Sequence, residues 1–282
     1  MVAALGLLGC GFIGYEPRRD ADGTQATRDG FGADAQGSDS TNDVSGETDS
    51  VAPTQQVSEW LDSDTLALFE FSPADPLVDS VGSTRLVPVF FQDEVLLADG
   101  PRPGTSSVAF NGEAAPLVLP HDDRWNLVTG SVDFFIRIQA CAEGRNEASR
   151  GVLSRDAFSS DNPGHFRVML IETCGLIIRL QSDVASAGVS SLPLALDTWT
   201  HIGVNFGLGG FELWVDGVLA DAEPEWVTGI AGNENPWLIG ADTNLTDEGS
   251  VDGWSQPLLA GQVALLRISR IRRDFSLKFL GV

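Results

Sequence analysis

From Trp60 onward the chain consists of short apolar or alternating runs separated by Gly, Pro, Asn and Asp. Successive side chains of a strand point to opposite faces, so alternation of apolar and polar residues indicates a half-buried strand. The run 131–140 places four apolar side chains on one face: Val132, Phe134, Ile136 and Ile138. A helical period never persists beyond about two turns. The sequence therefore predicts an all-β fold of about fourteen strands, which suits one two-sheet antiparallel sandwich.

Two dipeptides predict tight hairpins, because a type I′ turn needs two consecutive residues with positive φ. Asn111-Gly112 separates the apolar runs 106–110 and 114–119. Asp216-Gly217 separates the run 211–215 from a returning strand that starts at Val218.

Charge limits the classes of partner. The chain has 40 Asp and Glu against 17 Lys and Arg, a net charge of −23. Such a field repels phosphate, which argues against a nucleic-acid partner, and it tolerates cations such as Ca²⁺. No run of about 18 apolar residues occurs, so the sequence predicts no membrane-spanning helix.

The first ten residues form an apolar run that ends Leu7-Leu8-Gly9-Cys10. This end resembles a bacterial lipobox, in which a small residue precedes a cysteine that is lipidated. The resemblance implies export and a lipid anchor at Cys10, with the chain in the cell envelope or outside the cell. No Lys or Arg precedes the run, so two interpretations stay open: a signal whose start lies upstream of Met1, or an ordinary apolar terminus.

Residues 11–59 have a different composition, rich in Asp, Gly, Ser, Thr, Gln and Ala. Between Glu16 and Glu59, ten acidic residues face three arginines. A segment with so few large apolar side chains cannot bury enough surface to offset its chain entropy. We expect a disordered acidic linker here, followed by one domain over 60–282.

Six segments of this domain are similar, in order and spacing, to the conserved strands of laminin G-like domains. They are Val108–Gly112, Gly130–Phe134, Asp197–Ile202, Phe211–Val218, Pro236–Gly240 and Gly261–Ser269. The resemblance covers roughly 62–275. It implies the concanavalin A-like lectin/glucanase fold, a jelly roll of two packed antiparallel sheets, preceded here by the linker.

Many laminin G-like domains hold one calcium ion at the rim of the sandwich, with oxygen ligands from two loops. By position, the resemblance implies candidate ligands in the loop before strand 165–171 and in the loop after strand 236–241: Asp161, Asn162, Asp242 and Asn244. Their oxygen atoms suit Ca²⁺. Ordinary solvated loop side chains are the alternative interpretation.

Cys141 and Cys174 are the two cysteines that remain if Cys10 is lipidated. In an exported protein an even pair indicates a disulfide, whereas a cytosolic chain would keep two buried thiols. No further Cys or His lies at the spacing that a zinc site needs.

Catalytic patterns are weak. Glycosidases on this fold use Glu-x-Asp-x-x-Glu on one strand, so that both glutamates face one cleft. The nearest match, Glu47 to Ala52, lacks the second glutamate and lies in the linker. No Gly-x-Ser-x-Gly elbow occurs, and the three histidines have no companions at obvious spacing.

The tryptophans offer candidate ligand contacts, because an exposed indole stacks on sugars or anchors a protein interface. Trp226 and Trp254 fall near or in loops, although packed tryptophans are the more common case. The sequence thus favours a binding module, without catalysis, that recognises a glycan or a surface protein through rim loops. A glycan-active hydrolase or lyase on the same scaffold, or a purely structural surface domain, stays open.

Overall fold

The structure, a computed structural model, describes residues 60–89, 95–113, 116–142, 149–156, 163–242 and 258–276. These residues form fifteen strands and one 3₁₀ turn at Asp123–Trp125. The strands are β1 (Thr65–Phe69), β2 (Val87–Pro88), β3 (Leu96–Asp99), β4 (Ser106–Asn111), β5 (Leu117–Leu119), β6 (Gly130–Ile138), β7 (Ser149–Arg155), β8 (His165–Ile171), β9 (Leu176–Gln181), β10 (Ser186–Ser190), β11 (Trp199–Phe206), β12 (Phe211–Val215), β13 (Val218–Glu223), β14 (Trp237–Ile239) and β15 (Ala260–Ser269).

The strands form two antiparallel sheets that pack as a sandwich, as the sequence predicts. The eight-stranded sheet has the order β13-β12-β11-β6-β15-β4-β3, with β1 also paired to β15. The seven-stranded sheet has the order β10-β9-β8-β7-β14-β5-β2. Each sheet combines hairpins of consecutive strands with pairs that are distant in sequence, such as β6-β15 and β7-β14, as in a jelly roll.

The core lies between the sheets and follows the predicted alternation. Val132, Phe134 and Ile136 of β6 are buried in it. The Phe166 ring of β8 lies 6.3 Å from the Phe206 ring of β11, so the two sheets contact each other through aromatic side chains. Each such buried side chain stabilises the fold by roughly 1.5–3 kcal/mol relative to its exposed state.

One predicted hairpin is confirmed and the other is wrong. Asp216 and Gly217 both have positive φ, at 48° and 79°, and join β12 to β13. After Gly112, with φ 85°, the chain instead leaves one sheet for the other: β4 pairs with β15, and β5 pairs with β14. Asn111 pairs with Ala260, and the Gly112 N–H donates to Leu259 O, so long-range pairing outweighs the local turn preference here.

The outer face of the eight-stranded sheet is covered from both ends of the domain. Trp60 packs there against Phe135, with ring centroids 5.9 Å apart. Phe275, which follows β15, lies 5.7 Å from the ring of His201 on the same face. A Cβ on Gly203 would overlap the Phe275 ring, so glycine at this position lets the C-terminal segment lie flat on the sheet.

A buried ion pair fixes this covered face. Arg267 donates to Asp133 from Nε at 2.8 Å and from Nη2 at 2.9 Å, and its guanidinium lies 4.6 Å from the Trp60 ring. Nε2 of His201 is 3.4 Å from Oδ2 of Asp133, the oxygen that also accepts from Nη2 of Arg267. Burial would raise the pKa of Asp133, but Arg267 and His201 outweigh it and hold that pKa below its ordinary value. Asp133, Arg267 and His201 thus hold one another in place on this face.

Candidate functional site: the outer face of the seven-stranded sheet

Strands β7, β8 and β9 turn polar side chains away from the core. Ser154, Arg167 and Arg179 are directly opposite one another on the three strands, and Gly188 of β10 is opposite Arg179. Phe166 and Val168 lie in the core, so Arg167 between them points outward. This arrangement defines a row across the outer face of the sheet.

Four charged or polar side chains of this face form one connected group, called here the outer polar cluster: Asp156, His165, Arg167 and Asp242. Nδ1 of His165 is hydrogen-bonded to Oδ1 of Asp156. Arg167 lies between the two carboxylates, with Nε 3.5 Å from Oδ2 of Asp156 and 2.9 Å from Oδ1 of Asp242. A second bond joins Nη2 of Arg167 to Oδ2 of Asp242.

The cluster is shielded from water, with Asp156 and His165 both 6% exposed and Asp242 1% exposed. Burial alone would lower the pKa of Arg167, but the bonds and charge of Asp242, together with the charge of Asp156, raise it above its usual range. A bidentate guanidinium–carboxylate contact is among the strongest polar contacts in proteins. Arg167 is therefore a fixed positive charge at the centre of this face.

Arg179 is the second cation of the row, and its surroundings are more open. Its Nη2 donates to Oε1 of Gln181 at 2.7 Å, and no carboxylate pairs with it among the described residues. The side chain is half-buried. The next row along the strands holds half-buried Met169 opposite half-buried Ile177. The exposed end of this face therefore combines a guanidinium with aliphatic surface.

A second buried arginine organises one end of the sandwich. Arg155, the last residue of β7, is fully buried and donates to oxygens of Trp125, Asn126, Ile230, Asn233 and Asn235. Burial lowers the pKa of Arg155 to about 10, which leaves it charged at neutral pH. Its role is to hold the 3₁₀ turn and the β13–β14 connection together.

The two predicted disulfide cysteines are bonded to each other. Cys141 and Cys174 have their Cα atoms 5.0 Å apart, across a sequence separation of 33. The bond joins the segment that follows β6 to the turn between β8 and β9. The disulfide prediction is therefore confirmed.

The predicted calcium ligands are only partly within the described residues. Asp242 is described, and its carboxylate is bound by Arg167. Asp161, Asn162 and Asn244 lie outside the described residues, as do Cys10 and the linker 11–59. Among the residues that are described, no three His, Cys, Asp or Glu side chains form a group that could hold a metal ion. Calcium at this rim stays a prediction.

Of the two predicted ligand-contacting tryptophans, Trp254 lies outside the described residues. Trp226 is half-buried and packs against the main core, although Nε1 has no hydrogen-bond partner among the described groups. In the part of the chain that is described, no helix has the length and apolarity to cross a membrane.

The outer polar cluster and the role of Arg155 were not predicted from the sequence. One signal was present: in the predicted strand 165–171, His165 and Arg167 alternate with Phe166 and Val168. That alternation places both polar side chains on the face away from the core. Their carboxylate partners come from other strands and could not be chosen from spacing alone.

Comparisons with solved structures find domains with the same sandwich fold. Domain 4 of AbnA, an extracellular arabinanase from Geobacillus stearothermophilus solved with arabinotriose, matches with a TM-score of 0.52 and 16% identity over 73% of this chain and 92% of that one. A botulinum neurotoxin type C structure, whose cell entry depends on two ganglioside molecules, matches with a TM-score of 0.53 and 14% identity over 75% of this chain and 49% of that one.

The binding domain of botulinum neurotoxin DC, solved with rat synaptotagmin II, matches with a TM-score of 0.52 and 13% identity over 75% of this chain and 49% of that one. The chain thus spans about half the length of the neurotoxin chains that it matches. At these identities the likeness shows the fold alone. No curated protein matches the sequence.

A family model, Laminin_G_3, matches residues 111–270, more than half of the sequence. The matched region runs from the end of β4 to the end of β15 and includes both sheets. The chain belongs to the concanavalin A-like lectin/glucanases superfamily.

Proposed function

We propose that this chain is a non-catalytic binding module for glycans and that its binding surface is the outer face of the seven-stranded sheet around β8, β9 and β10. The observation that carries the proposal is the contrast between the two outer faces. Trp60 and Phe275 cover the outer face of the eight-stranded sheet at β6 and β11, whereas the other sheet has a half-buried guanidinium and an exposed glycine side by side.

Sugar recognition needs apolar surface for the ring faces and fixed donors for the hydroxyl groups. Met169 and Ile177 offer the apolar surface, and Arg179 offers the donors. The structures solved with arabinotriose and described for ganglioside-dependent entry support a glycan as the ligand class, since their domains share this fold.

Hydrolysis is the competing function, because the superfamily also includes glucanases. A glycosidase needs two carboxyl groups that reach the substrate. On the described part of this face the carboxylates are Asp156 and Asp242, both nearly buried and both in contact with Arg167. That arrangement favours binding over catalysis.

A protein partner is the second candidate. Val184 before β10 is 86% exposed and Leu192 after it is 83% exposed, so apolar side chains flank this edge strand. The neurotoxin binding domain solved with synaptotagmin II shares this fold over about half its length, which supports a protein as the second class of partner.

The proposal also includes export of the chain, a lipid anchor and further contacts at the rim of the sandwich. A disulfide persists in oxidising compartments, so the Cys141–Cys174 bond supports an exported chain. A lipid anchor at Cys10 would then fix the module to a membrane. Trp226, Trp254 and a calcium ion are proposed as additional rim contacts.

The test is a glycan array probed with the full chain, with and without EDTA. Gly188→Phe should abolish binding, because an added Cβ meets only Ile178 O at 3.7 Å and the ring would occupy the proposed surface without disturbing the fold. Ala74→Phe, at an exposed position between β1 and β2 and so at the opposite edge from β10, is the matched control and should bind normally. Equal binding by both variants would contradict the proposed surface.

A further inference from the structure

We infer that the glycan bound on this face has a carboxylate group, as in a uronic or sialic acid, and that Arg179 is the residue that binds it. The inference rests on the proposed function and narrows its ligand class. It starts from the row Ser154, Arg167, Arg179 and Gly188 across the seven-stranded sheet.

Arg167 and Arg179 are directly opposed on β8 and β9. Like charges at directly opposed positions of an antiparallel pair are unfavourable, because their side chains lie close together. Arg167 is compensated by two carboxylates, Asp156 and Asp242. Arg179 donates to the neutral amide of Gln181, so its charge has no counter-ion among the described residues. An anion beside Arg179 would remove the imbalance.

Space for such an anion lies next to Arg179. Its neighbour on the edge strand is Gly188, which is exposed and has no side chain. Among the residues that the structure describes, only Ile178 O comes within 4 Å of the position that a Gly188 Cβ would take. The row therefore ends in an open position beside the Arg179 guanidinium, which has further N–H donors for a ligand.

The guanidinium geometry selects the type of anion. Five N–H donors in a planar fork match the two oxygens of a carboxylate. Arg179 donates from Nη2 to Gln181 and has further N–H groups on the same guanidinium. The Met169–Ile177 pair in the next row supplies an aliphatic floor for the sugar ring that bears the carboxylate.

The overall charge makes this position selective. A chain with net charge −23 repels anions at long range, so an acidic ligand binds only where a local cation compensates. Moderate salt should raise the affinity for an acidic glycan, because it screens the long-range repulsion between ligand and protein. The short contact between the carboxylate and Arg179 is screened much less.

The experiment uses the full chain on an array of matched pairs: uronic-acid oligosaccharides with their carboxyl-reduced forms, and sialylated glycans with their asialo forms. We expect signal on acidic members only. Arg179→Gln should weaken binding roughly 10- to 100-fold, the value of one charge-assisted contact, and Arg179→Lys should keep part of it. Arg270, which directly follows β15, is exposed and paired with Asp64. As a control, Arg270→Gln removes one positive charge away from the proposed site and should bind normally.

Three results would overturn the inference, and they are distinguishable. Equal binding of neutral and acidic members leaves glycan binding intact but refutes the carboxylate. Unchanged affinity in Arg179→Gln, with thermal melts like those of the wild type, refutes the residue. No glycan signal, together with binding of polyglutamate, refutes the proposed function itself and indicates an acidic protein segment as the partner.

Discussion

Arg167 donates from Nε to Oδ1 of Asp242 over 2.9 Å, and this pair occupies the position where the sequence led us to expect a calcium ligand. Asp156 lies on the other side of the same guanidinium, 3.5 Å from Nε. The positive charge that two neighbouring carboxylates require is therefore supplied by a side chain of the adjacent strand.

Replacing Arg167 should expose the carboxylates to a metal ion. We expect Arg167→Met to lower the free energy of unfolding by about 3–5 kcal/mol, because two buried carboxylates lose the positive charge between them. Added Ca²⁺ should then raise the melting temperature of this variant more than that of the wild type. Thermal melts in Ca²⁺ and in EDTA measure both effects.

The double variant Arg167→Met/Asp242→Asn is the control and should lose the added calcium response. The calcium hypothesis for the native rim predicts a smaller rise in the wild type as well. An Arg167→Met protein that folds and ignores Ca²⁺ would show that these carboxylates cannot share an ion.

The Asp133–Arg267 pair predicts a reversal in pH dependence. In the wild type the pKa of Asp133 is below its ordinary value of 3.8, so its contribution to stability is present above that pH and is lost as pH falls through the folded pKa. In Arg267→Met burial dominates and raises the folded pKa of Asp133. Its contribution is then present at low pH and lost as pH rises.

Urea unfolding at about pH 7 and about pH 5 measures this reversal. The difference in unfolding free energy between wild type and Arg267→Met should be largest, about 3–5 kcal/mol, at the higher pH. Asp133→Asn/Arg267→Met removes the titrating group and should show no such change. A wild-type-to-variant difference that grows on acidification would contradict the assignment.

Arg155 should be among the most sensitive positions of the fold. Arg155→Met removes the donor of the buried carbonyl groups of Ile230 and Asn233, each at a cost of about 1–3 kcal/mol. Lysine at this position has three donors and should restore part of the loss. As a control, Arg85→Met removes an exposed ion pair with Asp75 and should cost at most about 1 kcal/mol. Chemical denaturation compares them.

Reduction of the Cys141–Cys174 bond should destabilise the domain by about 3–4 kcal/mol, because the open loop regains chain entropy. Cys141→Ser/Cys174→Ser should melt at the same lowered temperature with or without reductant. If reductant shifted that double variant as much as it shifted the wild type, the effect would have another source.

The sequence predicted the architecture well because a strand of a sandwich buries every second residue, and this alternation is visible in the sequence. Val132, Phe134 and Ile136 appear in the sequence as they pack in the core. The Asn111-Gly112 hairpin failed because Ala260, far along the chain, is the partner that determines where Asn111 pairs.

The site was harder to predict for the same reason. Arg167 and Asp242 are 75 residues apart and meet only because β7 alone separates β8 from β14 in the sheet. Strand alternation indicates which way Arg167 points, but the partner of a side chain depends on the strand order. Arg155 illustrates a second gap, since its backbone acceptors leave no mark in the sequence.

The pairing of the first and last strands determines how the domain responds to tension. Thr65 at the start of β1 is opposite Ser269 at the end of β15, so both ends of the domain meet at one point. A force that pulls these ends apart loads the hydrogen bonds of this pair in turn rather than together. The Asp62–Arg273 and Asp64–Arg270 ion pairs lie outermost and take the load first. The domain should therefore peel open at its ends under low force while the seven-stranded sheet stays intact.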